Sequence, residues 1–273
     1  MTRTHPLVPW LLAVLTAGFI SGCSNDDGGS NHETPSTPTN YSQTFTGLFA
    51  SSAETGVITF TVNSAAPWSS FGRRLLGPKS SASAELGTVT GILRYGVTTE
   101  SVTGSFDADA DTIYLTSGHY AMSGRYYRTS VPPRISGGVT GLHEGSFHCL
   151  MGEDTAIEVW GGDWGHRGAA AAGRFGFVSK DSALYGGMVL PNPQWPFLGY
   201  HFSGTIGPGT PLRPIVAAGR GLLDSLSIGG YADESADTAG GSWDSIPLID
   251  EIGDGWWHVE RLNQTASPDV ALP

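Results

Sequence analysis

The chain has 273 residues, a formal net charge of -11, 39 glycines and only 14% charged residues. Average usage is about 7% glycine and about 25% charge, so the composition excludes a helical bundle, and the glycines lack the three-residue period of collagen. Lys79 and Lys180 are the only lysines, which leaves too small a cationic footprint for phosphate backbones and excludes nucleic acid as an expected partner.

Residues 1–22 contain Arg3, no acid, and an apolar run from Leu7 to Ile20 that ends in small residues before Cys23. This pattern predicts an export signal peptide. At about 14 residues, with Pro6 and Pro9 near its start, the run falls short of the roughly 20 apolar residues that a spanning helix needs. Ile20-Ser21-Gly22-Cys23 resembles the lipobox of bacterial lipoproteins, in which an aliphatic residue and two small ones precede the cysteine that receives the lipid. The resemblance implies lipidation of Cys23, cleavage just before it, and anchoring to membrane lipid in the bacterial cell envelope. Ser24 at the next position is similar to the pattern of enteric lipoproteins sent to the outer membrane. Each buried methylene contributes about 0.8 kcal/mol, so one chain holds marginally and two or three hold durably.

Residues 23–40 are expected to form a flexible tether, since 24–40 contain no aliphatic or aromatic side chain to bury. A flexible chain of this length averages roughly 20–25 Å end to end. Cys23 and Cys149 are the only cysteines. With Cys23 lipidated, no internal disulfide is available. Cys149 then reads as a small buried hydrophobe, a reactive or intermolecularly paired thiol being the alternative.

From Tyr41 onward the sequence alternates with period two, which is the strand signal. Phe45, Gly47 and Phe49 share one face of the first run, opposite Thr44, Thr46 and Leu48. Ile58, Phe60 and Val62 follow the Glu54-Thr55-Gly56 turn, then Val102, Gly104 and Phe106, then Tyr120, Met122, Gly124 and Tyr126. No segment sustains a helical spacing. Ser/Thr-Gly pairs recur at Thr46-Gly47, Thr90-Gly91, Thr103-Gly104, Ser123-Gly124 and Ser203-Gly204. Glycine inside a strand marks a bend or a close approach, and such kinks let small barrels close. The predicted fold is therefore all-β, with antiparallel glycine-kinked meanders forming one large or two small barrel-like or sandwich units.

A weak internal repeat favours two units. Tyr41 to Phe45, followed by Gly56 and Ile58-Thr59-Phe60, matches Trp160 to Trp164, followed by Gly173 and Phe175-Gly176-Phe177. The implied domains are a signal peptide at 1–22, the tether at 23–40, β units at 41–150 and 151–262, and a tail at 263–273. One continuous barrel or sandwich is the competing reading. Residues 41–245 resemble a loose group of Gly-rich, β-rich bacterial envelope lipoproteins, and the opening Trp160 to Trp164 is similar to the first strand of avidin-like and lipocalin-like barrels. The likeness implies a fold class and a location, not an activity.

Four groups of residues could carry chemistry. His143 and His148 flank Glu144 and precede Cys149, but histidines five apart lack the zincin spacing and point to opposite faces of a strand, so a solvated strand is expected. Asp107, Asp109 and Asp111 alternate as in a calcium loop, yet Thr112 and Gly118 occupy the places of the required glycine and glutamate, which leaves an acidic hairpin turn. Trp160, Asp163, Trp164, His166 and Arg167 could stack a sugar or pair a base with an acid; barrel core is the plainer reading. Arg73, Arg74 and Lys79 form a basic cluster in a long loop, 63–83, that also carries Trp68 and Phe71 and is expected to pack across a barrel mouth. Trp195-Pro196-Phe197 forms a second irregular stretch.

No catalytic, cofactor or metal residue is predicted, and Cys23 is the one assigned site. The expected function is a membrane-anchored envelope lipoprotein with a β-rich binding or structural module, its partner an unidentified protein or small molecule. A small-ligand-binding β-barrel and an envelope hydrolase are the alternatives.

Overall fold

The computed structural model describes residues 41–64, 86–190, 199–220, 224–247 and 253–263, and among these the alternation read from the sequence becomes sixteen strands and a single 3-10 turn. The first eight are β1 (Tyr41–Ser51), β2 (Thr55–Ser64), β3 (Leu86–Tyr95), β4 (Thr98–Asp107), β5 (Thr112–Thr116), β6 (Tyr120–Tyr127), β7 (Arg134–Gly141) and β8 (Gly145–Met151). The second eight are β9 (Glu158–His166), β10 (Ala171–Lys180), β11 (Ala183–Val189), β12 (Gly199–Ile206), β13 (Leu212–Arg220), β14 (Asp224–Asp233), β15 (Thr238–Pro247) and β16 (Asp254–Arg261). Successive strands pair antiparallel, β8 returns to β1, and β16 returns to β9, so the chain forms two closed eight-stranded barrels. Closure leaves neither sheet with an unpaired edge. The signal peptide, Cys23, the tether, Arg73, Arg74, Lys79, Trp195-Pro196-Phe197 and the tail beyond Asn263 lie outside the described residues.

Both interiors are filled. In the first barrel, Phe45 stacks on Phe60 with ring centroids 5.6 Å apart, Phe49 meets Tyr120 edge-on at 4.8 Å, and Phe106 meets Tyr126 at 5.8 Å. In the second, Phe175 stacks between Phe202 at 5.0 Å and Trp257 at 5.1 Å, while Trp160 stacks on Phe177 at 5.7 Å. Eight strands enclose just enough width for side chains of this size. Cys149 is fully buried in the first core. The thiol is pushed well above its ordinary value by burial, which keeps it a neutral, poorly nucleophilic hydrophobe.

The repeat is real in structure but differs in register from the one read in the sequence. Phe45 opposes Phe60 and Phe49 opposes Gly56, just as Trp160 opposes Phe177 and Trp164 opposes Gly173. Phe45 and Phe49 therefore correspond to Trp160 and Trp164. The sequence comparison placed Tyr41 and Phe45 there instead, four residues too early on the first strand, because the β9–β10 connection is longer than the β1–β2 turn. Closure demands glycine at the same place in both barrels. A Cβ on Gly47 would lie 2.0 Å from the His148 carbonyl oxygen, and one on Gly162 would lie 2.3 Å from that of His258.

A third apolar cluster joins the barrels: Leu48, Ala50 and Val57 with Leu150 from the first, and Val159, Val178 and Val189 from the second, with Ile157 between them. Its geometry is a ridge in a groove. Gly161, Gly176 and Gly187 stand side by side across β9, β10 and β11. Over them lie side chains of the first barrel, with Thr55 at 2.7 Å, Leu48 at 2.8 Å and His148 at 3.0 Å from where each glycine's Cβ would stand. Arg174 donates from Nε and Nη2 to the Ala53 carbonyl at 2.9 and 2.5 Å, and Lys180 Nζ donates to the Met151 carbonyl at 2.9 Å. The connecting turn, Asp154–Ala156, is tied by Asn263, whose side-chain amide donates to the carbonyls of Asp154 and Ile157.

Candidate functional site

Two polar clusters stand out against this apolar frame. The first closes one mouth of the first barrel. In the β4–β5 hairpin Thr103 opposes Thr116, so Glu100, three residues before, faces His119, three residues after. Glu100 accepts from the Tyr95 hydroxyl at 2.5 Å, from the His119 backbone N–H at 3.3 Å and from the His119 ring at Nδ1. Burial works to raise the Glu100 pKa, but these bonds and one from Ser117 outweigh it and hold the carboxyl down to about 2. Beside it, the Tyr120 hydroxyl donates to Glu54 at 2.9 Å. Burial and that bond push Tyr120 up to about 12, and burial and Glu100 raise Tyr95 as well.

A buried carboxylate that fixes Nδ1 of an exposed histidine is the orientation a general base needs. The nucleophile is the missing half. Ser117 gives its hydroxyl to Glu100 rather than to the imidazole, so among the described residues no serine is bonded to the His119 ring. The pair ties the loops of the mouth together.

The second cluster lies in the seam between the barrels. His148 is 1% exposed, which corrects the expectation of a solvated strand, because β8 turns this face onto the second barrel rather than onto water. His143 lies before β8, in the preceding bend. The His148 ring shares a hydrogen bond through Nδ1 with Ser136 Oγ at 3.1 Å and one through Nε2 with His201 Nδ1 at 3.3 Å. Burial, His201 and Arg134 hold His148 well below its ordinary pKa; loss of water on the side turned into the seam, then Arg134, lowers His201. Both rings are neutral at pH 7. The Arg134 guanidinium lies between the Tyr127 ring at 4.4 Å and the Tyr185 ring at 4.3 Å, bridging the two barrels.

The other sequence candidates separate. Trp160 and Trp164 are buried in the second core, and His166 sits at its mouth against Trp164 and Trp243. Asp163 points outward by strand parity and pairs with Arg174 at 2.5 Å, while Arg167 pairs with Asp254. Acid and histidine therefore occupy opposite faces of β9 and cannot act as a pair. Asp107 accepts from the backbone N–H groups of Asp109 and Ala110, both at 3.0 Å, and Asp111 pairs with Arg128, which makes the segment a hairpin turn. No group of three or more metal-ligating side chains gathers among the described residues.

Sequence reasoning passed over Glu100, His119, His201 and Arg134. The first two were within reach, since a hairpin centred on the Asp109-Ala110 turn makes residues 100 and 119 partners. His201 was not, because only the docking of one barrel on the other brings it to His148. No known protein family matches the chain, and no curated protein matches it either.

Proposed function

We propose that this is a lipid-anchored lipoprotein of the bacterial cell envelope whose double barrel is a binding or structural module working through its outer surface. The lipobox-like Ile20-Ser21-Gly22-Cys23 supports the anchor, with the outer membrane favoured by Ser24. The observation that carries the module reading is the ring-on-ring filling of both interiors, from Phe45 on Phe60 to Phe175 between Phe202 and Trp257. A barrel that encloses a small molecule needs a lined chamber of about 300–1,000 Å³, and stacked rings occupy that space here. Recognition then falls to the outer faces and the connecting loops. Titration of the purified chain with a fluorescent fatty acid tests this. Non-saturable, weak signal is expected; saturable one-to-one binding with a blue-shifted spectrum would restore the ligand-enclosing barrel and overturn the surface reading.

A further inference from the structure

The arginines of the described residues divide into two sets. Arg94, Arg128, Arg167, Arg174, Arg213 and Arg261 are each held by a carboxylate. Arg125, Arg134 and Arg220 have no such partner among the described residues, in a chain of net charge -11 where carboxylates outnumber them. The unpaired ones are not scattered. Arg125 opposes Ser136, Ser136 opposes His148, His148 meets His201 at 3.3 Å across the seam, and His201 opposes Arg220. Arg134 stands two residues from Ser136 on the same outer face, its Nε buried without a hydrogen-bond acceptor. One cross-strand line thus carries Arg125, Ser136, His148, His201 and Arg220 from the first barrel to the second, with Arg134 alongside it.

At the first-barrel end this line opens into a surface trough of about 620 Å³, walled by Tyr114, Thr112, Ser123, Ser136 and Arg125 over Gly124 and Gly137. Tyr114 is 56% exposed. An exposed ring can stack on the apolar face of a sugar, hydroxyls can bond its hydroxyls, and an unpaired guanidinium matches a carboxylate through two parallel hydrogen bonds. We infer that the trough and the basic line form a binding site for a short acidic oligosaccharide, its carboxylates on Arg125, Arg134 and Arg220 and its first ring against Tyr114. The ligand must be short. The remaining surface is net acidic and repels any polyanion that extends past the line, which also disfavours nucleic acid.

The histidines add pH dependence. Both are neutral in the free protein, with Arg134 facing them from β7, Arg220 beside His201 on β13, and no carboxylate bonded to either ring among the described residues. A bound carboxylate offsets that positive surround and favours their protonation, so binding takes up protons and strengthens on acidification.

The inference rests on the surface-module reading, and the two fail separately: saturable fatty-acid binding would sink that reading, whereas the experiment here sinks only the ligand class. The full-length chain in neutral detergent micelles is titrated calorimetrically with trigalacturonate, with neutral maltotriose, inorganic phosphate and a short oligonucleotide as comparators. Saturable binding of trigalacturonate alone is expected, weakened roughly tenfold by Arg125→Gln or Arg220→Gln and strengthened between pH 7.5 and 5.5. Both arginines are exposed and unpaired, so unchanged melting temperatures will show the variants folded. Equal binding of maltotriose, tighter binding of phosphate or the oligonucleotide, unaltered affinity in both variants, or no saturable binding at all would each overturn it.

Discussion

Replacing Leu48 by alanine tests whether the two barrels act as one unit. Leu48 is 0% exposed and sits over Gly176. Leu→Ala at buried sites costs about 2–5 kcal/mol, and the low end belongs to sites whose walls collapse into the space left behind. Collapse is blocked here, because the floor is the Gly176 backbone, which is hydrogen-bonded to β9 on one side and β11 on the other. The upper part of the range, about 3–5 kcal/mol, is therefore expected. Urea unfolding followed by tryptophan fluorescence weights the second barrel, since Trp160, Trp164, Trp243 and Trp257 all lie in its core. The wild type should unfold in one transition by fluorescence and by circular dichroism together, and Leu48→Ala should split the two signals. A loss below about 1 kcal/mol with coincident transitions would refute the ridge-and-groove account of the seam.

Lipidation is checked by growth with radiolabelled palmitate: wild type should carry label, and Cys23→Ser should lose both label and membrane retention. Glu100, held at about 2 against an ordinary 4.5, should contribute stability that is fully present above pH 4.5 and lost as the pH falls toward 2. Glu100→Gln should cost on the order of 2–3 kcal/mol at pH 7 and flatten that acid limb; an unchanged limb would show that the mouth cluster does not hold the barrel together. His148, depressed below 6.5 in the folded protein, should likewise contribute stability that is whole above pH 6.5 and erodes below it, and His148→Gln should remove that slope from a pH series of thermal melts.

Strand periodicity carried most of the fold. Phe45, Phe60, Phe106 and Tyr126 all face inward as their parity predicts, because closure turns one face of every strand away from water. The Ser/Thr-Gly pairs pointed correctly to a close backbone approach at Gly47. What parity cannot convey is a second burial on the outer face. Leu48 and His148 lie on the side that alternation assigns to solvent, and both are covered by the other barrel. Gly161, Gly176 and Gly187 fall outside the Ser/Thr-Gly pairs, and their missing side chains make room for that contact. The candidate sites suffered for the same reason. Glu100 with His119 is a local consequence of one hairpin, while His148 with His201 depends on how two closed bodies dock.

The corrected repeat shows how the two barrels differ where they meet. Leu48 and Val57 face each other across β1 and β2, and their counterparts across β9 and β10 are Asp163 and Arg174. His148 next to Leu48 has its counterpart in His258 next to Asp163. The same cross-strand row is thus apolar in the first barrel and an ion pair in the second, with His148 buried and His258 exposed. The seam is nevertheless not symmetric: β8, β1 and β2 of one barrel meet β9, β10 and β11 of the other, whereas the repeat makes β16, β9 and β10 the equivalents of the first set, so two strands are shared between the two surfaces and one is not. The ion pair belongs to the seam itself, because Arg174 donates to the Ala53 carbonyl of the first barrel while it holds Asp163. Both side chains keep about a third or more of their surface in water, so the pair avoids the full cost of burying two charges. The substitution of an ion pair for Leu48 and Val57 therefore gives one side of the contact a polar rim, while the ridge of the other side stays apolar and fills the glycine groove.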